Sequence, residues 1–85
     1  MTTMANAEHV LDTTGLFCPE PVMLLHNKIR AMASGECVRV LATDPSTQRD
    51  IPKFCNFLGH TLLEQNALGG HDAAAEQFIY LIQKA

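Results

Sequence analysis

The chain has 85 residues, 47% of them hydrophobic, which suits one small domain with a single core. Six basic and nine acidic residues give a net charge of −3, which argues against an electrostatic nucleic-acid binder. No segment approaches the ~18 consecutive apolar residues of a membrane span, and the first residues lack a signal-peptide pattern. Three cysteines without framework spacing suit a reducing compartment, so we expect a cytoplasmic protein.

Hydrophobic periodicity and turn residues predict six elements. We expect a flexible segment at residues 1–8 and one domain at residues 9–85. In chain order, the predicted elements are a strand at 9–13, a helix at 19–33, a strand at 36–42, a helix from 44–47 to 58, and strands at 60–66 and 75–82. The order βαβαββ implies a right-handed parallel crossover followed by a hairpin. We therefore predict an α/β (α+β) two-layer sandwich, with a four-stranded mixed sheet and both helices on one face.

Helical spacing also predicts which side of each helix faces the sheet. The predicted core stripes are Val22, Leu25, Ile29 and Met32 in the first helix, and Ile51, Phe54, Cys55 and Leu58 in the second. The Ser34-Gly35 pair is typical of a helix C-terminus. Pro52 falls inside the second helix, so we expect a kink or a restart near Asp50.

The tetrapeptide Cys18-Pro19-Glu20-Pro21 is the most informative segment, because it places a thiol where a helix begins. Unpaired N–H groups and the positive end of the helix dipole favour an anion there, so we expect the pKa of Cys18 to be lowered from ~8.5 towards neutrality. Pro19 fixes where the helix starts and where the sulfur points. Glu20 opposes the lowering, because a neighbouring carboxylate disfavours the thiolate. The segment predicts a usable nucleophile of moderate reactivity.

Neither the other two cysteines nor the four histidines indicate a second functional site. Cys55 lies on a core stripe and is interpreted as structural, whereas Cys37 is interpreted as a partly exposed bystander in a strand. The motif is not C-x-x-C, so a dithiol oxidoreductase is poorly supported. The four histidines show no ligand spacing, and neither a metal nor a cofactor is expected. One presented thiol can still take a persulfide sulfur from a donor and pass it to an acceptor thiolate.

Exposed side chains near Cys18 are candidates for partner contacts. Met23 lies off the core stripe of the first helix, and Phe57 points to the same side of the second helix as Arg49 and Lys53. We interpret these residues as part of a protein-docking surface. The alternative interpretation, an ordinary solvated face, applies to each of them.

Several segments resemble one known family. They are Leu11-Asp12, the run from Gly15 to Met23, Gly35-Glu36, Asp44-Pro45, and Arg49-Asp50-Ile51-Pro52 followed by Phe54-Cys55. They occur in the family's order, and the likeness extends over residues 9–83. In these segments the chain is similar to the TusA/SirA-like sulfur carrier family.

The resemblance implies a fold like the C-terminal domain of translation initiation factor three. It also implies that a cysteine desulfurase loads Cys18, and that an acceptor cysteine of a downstream relay protein takes the sulfur towards 2-thiolation of the wobble uridine in tRNA. Asp12 and Gly15 would shape the approach loop, and Pro19 and Pro21 the helix start. The protein would be a sulfurtransferase in the sense of a persulfide carrier, without small-molecule turnover of its own. Direct contact with a membrane or with tRNA is not expected.

Two alternatives stay open. One is a carrier of the same fold that serves molybdenum-cofactor maturation, sulfur oxidation or selenium metabolism. The other is a non-catalytic module that binds RNA or a regulatory partner, for which fold analogy is a weak warrant. Cys18→Ser separates the classes, because a carrier loses all transfer whereas a binding module is barely affected.

Overall fold

The computed structural model describes residues 8–68 and 77–85. Its elements are β1 (His9–Thr13), α1 (Glu20–Arg30), β2 (Cys37–Ala42), α2 (Thr47–Leu58), β3 (Thr61–Leu68) and β4 (Gln77–Gln83). Residues 1–7 of the predicted flexible segment, residues 69–74 of the predicted hairpin connection and residues 75–76 of the last predicted strand lie outside the described residues. Glu8 is described, and its Oε1 accepts the Cys37 N–H at 2.8 Å.

The strands form one mixed sheet in the order β1-β2-β4-β3, as the sequence predicts. β1 and β2 are parallel, and β4 is antiparallel to both of its neighbours. Parallel neighbours need a crossover connection, which α1 provides. Because β1 and β2 run the same way, the loops that follow them lie at the same edge of the sheet. This adjacency positions the candidate site.

Alternation along the strands places the core on one face of the sheet. Val40 pairs with Tyr80 and Ala42 with Phe78, and all four side chains are buried. The helical side chains that pack with them are Leu25 and Ile29 of α1, Met32 just beyond it, and Ile51 and Cys55 of α2. Both helices therefore cover the same face, which confirms the predicted two layers. No helix within residues 8–68 and 77–85 is long and apolar enough to cross a bilayer.

Helix α1 begins at Glu20 rather than 19 and ends at Arg30 rather than 33. The N–H groups of Ala31 and Met32 bond to carbonyls three residues earlier, so the last turn tightens and the helix stops. Gly35 has a φ of 88° in the following turn, and its N–H donates to the Lys84 carbonyl at 2.9 Å. The glycine therefore directs the chain into β2 and does not cap the helix.

Helix α2 continues through Pro52, and the predicted restart near Asp50 is absent. Proline has no N–H, so the Gln48 carbonyl four residues earlier loses its intrahelical donor. Gln65 of β3 replaces that donor, with its Nε2 at 3.4 Å from the Gln48 carbonyl oxygen. A side chain of the sheet therefore supplies the hydrogen-bond donor that the proline lacks.

The last position of the predicted core stripe in α2 is wrong, because Leu58 is 39% exposed. The helix ends there, and Gly59 adopts a left-handed φ of 81°. The N–H of His60 then donates to the Cys55 carbonyl at 2.9 Å, as in a Schellman ending. This turn leads the chain into β3 and leaves Leu58 at the rim of the core.

Candidate functional site

Cys18 lies between β1 and α1, with Pro19 as the N-cap residue and Glu20 as the first helical residue. The thiol is exposed, and the Cys18–Pro19 peptide bond is cis. Two backbone hydrogen bonds hold this segment against the helix start. The Phe17 carbonyl accepts the Glu20 N–H at 2.9 Å, and the Pro19 carbonyl accepts the Met23 N–H at 3.0 Å. Cys18 is therefore an accessible sulfur immediately before a helix.

The loop that leads to Cys18 contains the two predicted loop-shaping residues. Asp12 Oδ1 accepts the Thr14 N–H at 3.0 Å and the Thr14 hydroxyl at 2.7 Å, which forms an Asx-type turn. The same two bonds, the hydroxyl first, lower the pKa of the Asp12 carboxyl. Gly15 has a φ of 83°, which few side chains tolerate, and its N–H donates to Thr43 Oγ1 at 2.9 Å.

Asp44, in the loop after β2, fixes the backbone of the Cys18 segment. Its Oδ2 accepts the Cys18 N–H at 2.7 Å and the Ser46 hydroxyl at 2.8 Å, and its Oδ1 accepts the Ser46 N–H at 3.0 Å. The side chain is only 7% exposed, and the bond from the Ser46 N–H is the main reason that its pKa lies below the ordinary value. Sequence reasoning treated Asp44 as a helix start and missed this contact. The parallel pairing of β1 and β2 is the signal that could have found it.

The pKa of the Cys18 thiol is raised, and the sequence-based expectation of a lowered value is wrong. The largest cause is a hydrogen bond to the Asp50 carboxylate in the first turn of α2. Partial desolvation and the negative charges of Asp50 and Asp44 act in the same direction, whereas Arg49 acts against them. The opposing carboxylates thus come from the loop before α2 and from α2 itself, not from Glu20.

The four residues predicted to contact partners are all exposed. Met23 on α1 is 56% exposed, and Phe57 on α2 is 87% exposed. Arg49, Lys53 and Phe57 follow one another at intervals of four, so they share one side of the helix. Arg49 Nε also donates to Asp50 Oδ1 at 3.1 Å, which connects this side of α2 to the Cys18 site.

Cys37 and Cys55 differ from Cys18 in their surroundings. Cys55 is buried in the core, and this burial raises the pKa of its thiol to about 11. Cys37 is half-buried, and burial raises its pKa as well. In the part of the chain that the structure describes, no group of histidine, cysteine or carboxylate side chains could hold a metal ion. Of the three thiols, that of Cys18 is the exposed one.

Comparison with known proteins assigns the family. The family model described as Sulfurtransferase TusA matches residues 9–84. The chain belongs to the TusA family of sulfur carrier proteins. Among its TusA relatives, a Sulfur carrier protein TusA from Pseudomonas putida (strain GB-1) is 59% identical over 75 residues, which are 88% of this chain and 86% of the relative. Another, from Pseudomonas aeruginosa (strain LESB58), is 54% identical over 79 residues, or 93% and 92% of the two chains.

A solved structure supports the TusA fold independently. The crystal structure of a SirA-like protein from Desulfitobacterium hafniense matches with a TM-score of 0.64, covering 91% of this chain and 99% of that one. The sequence identity is 17%, so this likeness concerns the fold alone.

Proposed function

We propose that this TusA-family carrier relays persulfide sulfur through Cys18 between two protein partners in the cytoplasm. The donor is a cysteine desulfurase, and the acceptor is a cysteine of a downstream relay protein. The exposed thiol of Cys18, immediately before α1 in a chain that matches the TusA family, carries this proposal. The sulfur finally serves 2-thiolation of the wobble uridine in tRNA.

Loading of the carrier is a thiol exchange at sulfur. The Cys18 thiolate attacks the outer sulfur of the donor's persulfide, the donor's S–S bond breaks, and its electron pair remains on the donor cysteine. A persulfide on Cys18 and a thiol on the donor result, so no oxidant or reductant is consumed. Delivery repeats the exchange with the acceptor thiolate as the attacking group. Docking that brings the sulfur atoms into line accounts for much of the rate.

We infer that the partners bind the exposed residues around the thiol, namely Met23 of α1 and Arg49, Lys53 and Phe57 of α2. Large exposed apolar side chains supply the anchors of many interfaces, and Met23 and Phe57 are of this kind. The two cations favour a partner surface that carries carboxylates, because complementary charges orient an encounter.

Intact-mass spectrometry without reductant tests the proposed loading. The protein is incubated with a cysteine desulfurase and free cysteine, beside Cys18→Ser and the control Cys37→Ser. We expect a gain of one sulfur in the wild type and in Cys37→Ser, reversed by a thiol reductant, and no gain in Cys18→Ser. Equal gains in the wild type and Cys18→Ser, or no gain in either, would refute the assignment.

The tRNA pathway needs a separate test. A strain that lacks its own carrier gene is complemented with the wild type or with Cys18→Ser, and 2-thiouridine in its tRNA is measured by nucleoside mass spectrometry. We expect thiolation with the wild type only. A carrier that loads with sulfur but restores no 2-thiouridine would assign the protein to another sulfur pathway.

A further inference from the structure

Two buried hydroxyl groups connect the middle of the sheet to the segment that contains Cys18. The Tyr80 hydroxyl lies 2.8 Å from Thr47 Oγ1, and Thr47 Oγ1 donates to the Asp44 carbonyl at 2.7 Å. Tyr80 and Thr47 are 0% and 1% exposed. The Asp44 carboxylate in turn accepts the Cys18 N–H at 2.7 Å. Three consecutive hydrogen bonds therefore lead from β4 to the backbone of Cys18.

The direction of these hydrogen bonds follows from the hydrogens that each group carries. A threonine hydroxyl has one hydrogen, and Thr47 donates it to the Asp44 carbonyl. The Tyr80 hydroxyl must therefore donate to Thr47 Oγ1. Burial raises the pKa of Tyr80, so its hydroxyl keeps the hydrogen at neutral pH. Each hydroxyl group thus polarises the next one, which strengthens both bonds.

Tyr80 is a firm base for this chain of hydrogen bonds. β4 lies between β2 and β3, and Tyr80 pairs with Val40 on one side and with Gln65 on the other. Asp44, by contrast, lies in the loop between β2 and α2. A phenylalanine ring would fill the space of Tyr80 without bringing a polar group into the core, where such a group is costly unless it is hydrogen-bonded. The hydroxyl pair therefore has a use in holding Asp44 that packing alone does not explain.

Sulfur transfer between two proteins requires a sulfur at a fixed position. The attacking, transferred and leaving sulfur atoms must lie nearly in line, and two docked proteins cannot reorient freely to bring them there. A small reagent in solution has no such requirement, because it approaches the exposed thiol of Cys18 from many directions. The placement of the Cys18 backbone therefore matters for transfer between proteins and little for alkylation.

We propose that Tyr80 and Thr47 are positioning residues for sulfur transfer: by holding Asp44, they keep the Cys18 backbone, and with it the sulfur, in one place relative to a docked partner. This role rests on the proposed function and extends it to two buried residues outside the cysteine motif. Both act through Asp44, and neither takes part in the exchange of bonds at sulfur.

Conservative substitutions separate the hydroxyl groups from the packing around them. Tyr80→Phe removes one hydroxyl and keeps the ring. Thr47→Val removes the other and keeps the side-chain shape, whereas Thr47→Ser keeps the hydroxyl. Ile82→Val is the matched control, because Ile82 is also buried on β4 and loses one methyl group without losing a hydrogen bond. Circular dichroism verifies that each variant is folded.

The first measurement needs no sulfur transfer. Amide hydrogen exchange, followed by NMR, reports how firmly the Cys18 N–H is held, and core amides of β2 report the global stability. We expect the Cys18 amide to exchange about fivefold faster in Thr47→Val and about twofold faster in Tyr80→Phe. Thr47→Ser and Ile82→Val should keep the wild-type rate at Cys18, even where the core amides exchange faster. A wild-type rate in Thr47→Val would overturn the proposal.

The second measurement is a single turnover with an excess of persulfidated cysteine desulfurase, followed by intact mass. We expect the rate constant at saturating donor to fall about tenfold in Thr47→Val, with the half-saturating donor concentration unchanged because the docking surface is intact. Thr47→Ser and Ile82→Val should accept sulfur at the wild-type rate. Alkylation of Cys18 by iodoacetamide should not change in any variant. A merely structural role would instead change alkylation and transfer together, and that result would refute positioning.

A double variant tests whether Tyr80 acts through Thr47. If it does, Tyr80→Phe causes no further loss of transfer in the Thr47→Val background, whereas independent effects would multiply. A further loss would overturn the role of Tyr80. A desulfurase that fails to load the wild type, beside the expected amide exchange, would count against the proposed donor and not against the positioning of Cys18.

Discussion

Among single residues, Asp44 makes the most connections between separate parts of the site. Its carboxylate accepts one hydrogen bond from Cys18 and two from Ser46, and its carbonyl accepts the Thr47 hydroxyl at 2.7 Å. One buried side chain thus links the loop after β1 to the start of α2. Hydrogen bonds to a charged acceptor contribute about 1.5–3 kcal/mol each at the upper end of measured values, so this residue also matters for stability.

We predict that Asp44→Ala lowers the free energy of unfolding by about 2 kcal/mol, because it leaves the Cys18 and Ser46 N–H groups without their acceptor. Urea denaturation followed by circular dichroism measures the loss. Asp12→Ala removes a carboxylate from an exposed turn and should cost clearly less. Equal losses in the two variants would show that the bonds of Asp44 add little.

The contribution of Asp44 should depend on pH in a defined direction. Its pKa is lowered in the folded protein, so the folded state favours the ionised carboxylate. The stabilisation is therefore complete above the unfolded-state pKa of ~3.9 and is lost as the pH falls through the lower folded-state value. We expect the difference in urea midpoint between the wild type and Asp44→Asn to be constant from pH 7 to pH 5 and to shrink below pH 4. A difference that grows in acid would contradict this assignment.

The three cysteines should react in an order set by their surroundings. Cys18 is exposed, Cys37 is half-buried, and burial raises the pKa of Cys55 to about 11. At pH 8 we expect iodoacetamide to modify Cys18 first and Cys37 more slowly, and to reach Cys55 only after unfolding. Peptide mass spectrometry of timed samples, with and without urea, gives the order. Native labelling of Cys55 at the rate of Cys18 would refute the burial argument.

Among the elements, α2 contributes both to the pKa of the Cys18 thiol and to the exposed surface of the protein. Its first turn carries Asp50, which raises the pKa of the Cys18 thiol, and its exposed side carries Arg49, Lys53 and Phe57. Such a helix lets a partner contact the exposed stripe while the reactive sulfur stays at one end of it. Arg49 and Phe57 are eight residues apart, which at the helical rise separates them by about 12 Å along the helix axis.

We predict that Phe57→Ala weakens loading by a cysteine desulfurase about tenfold, because it removes an exposed aromatic anchor. The rate of persulfide formation against desulfurase concentration measures the effect. Alkylation by iodoacetamide should not change, since a small reagent needs no docking surface. Val10→Ala, an exposed apolar residue of β1, is the matched control. Equal effects of the two variants on loading would place the docking surface elsewhere.

The sequence could predict elements where local periodicity governs them, and less where distant contacts do. The core stripe of α1 was predicted correctly because burial repeats every three or four residues, and Leu25 and Ile29 are buried as expected. The end of α2 was less predictable, because the exposure of Leu58 depends on the turn at Gly59. Tolerance of Pro52 depends on Gln65, a residue of another element.

At the scale of the whole molecule, the candidate site also combines features that local sequence predicts with features that depend on distant contacts. The motif located Cys18 and its place before a helix. It could not predict the direction of its pKa shift, because the carboxylates that raise the pKa come from the loop after β2 and from α2. Cys18 and Asp44 are 26 positions apart, and only the parallel pairing of β1 with β2 brings them together. Local helix electrostatics predicted the opposite sign.

Tyr80 is an intrinsic fluorescent probe of the protein. The chain has one tyrosine and no tryptophan, so its intrinsic fluorescence comes from this single buried ring. The ring hydroxyl lies 2.8 Å from Thr47 Oγ1, which donates to the Asp44 carbonyl, and the Asp44 carboxylate accepts the Cys18 N–H. A short hydrogen-bonded path thus runs from the fluorophore to the reactive segment. If Cys18 is the residue that carries sulfur, as proposed, and loading displaces that segment, we expect the emission of the unlabelled protein to change.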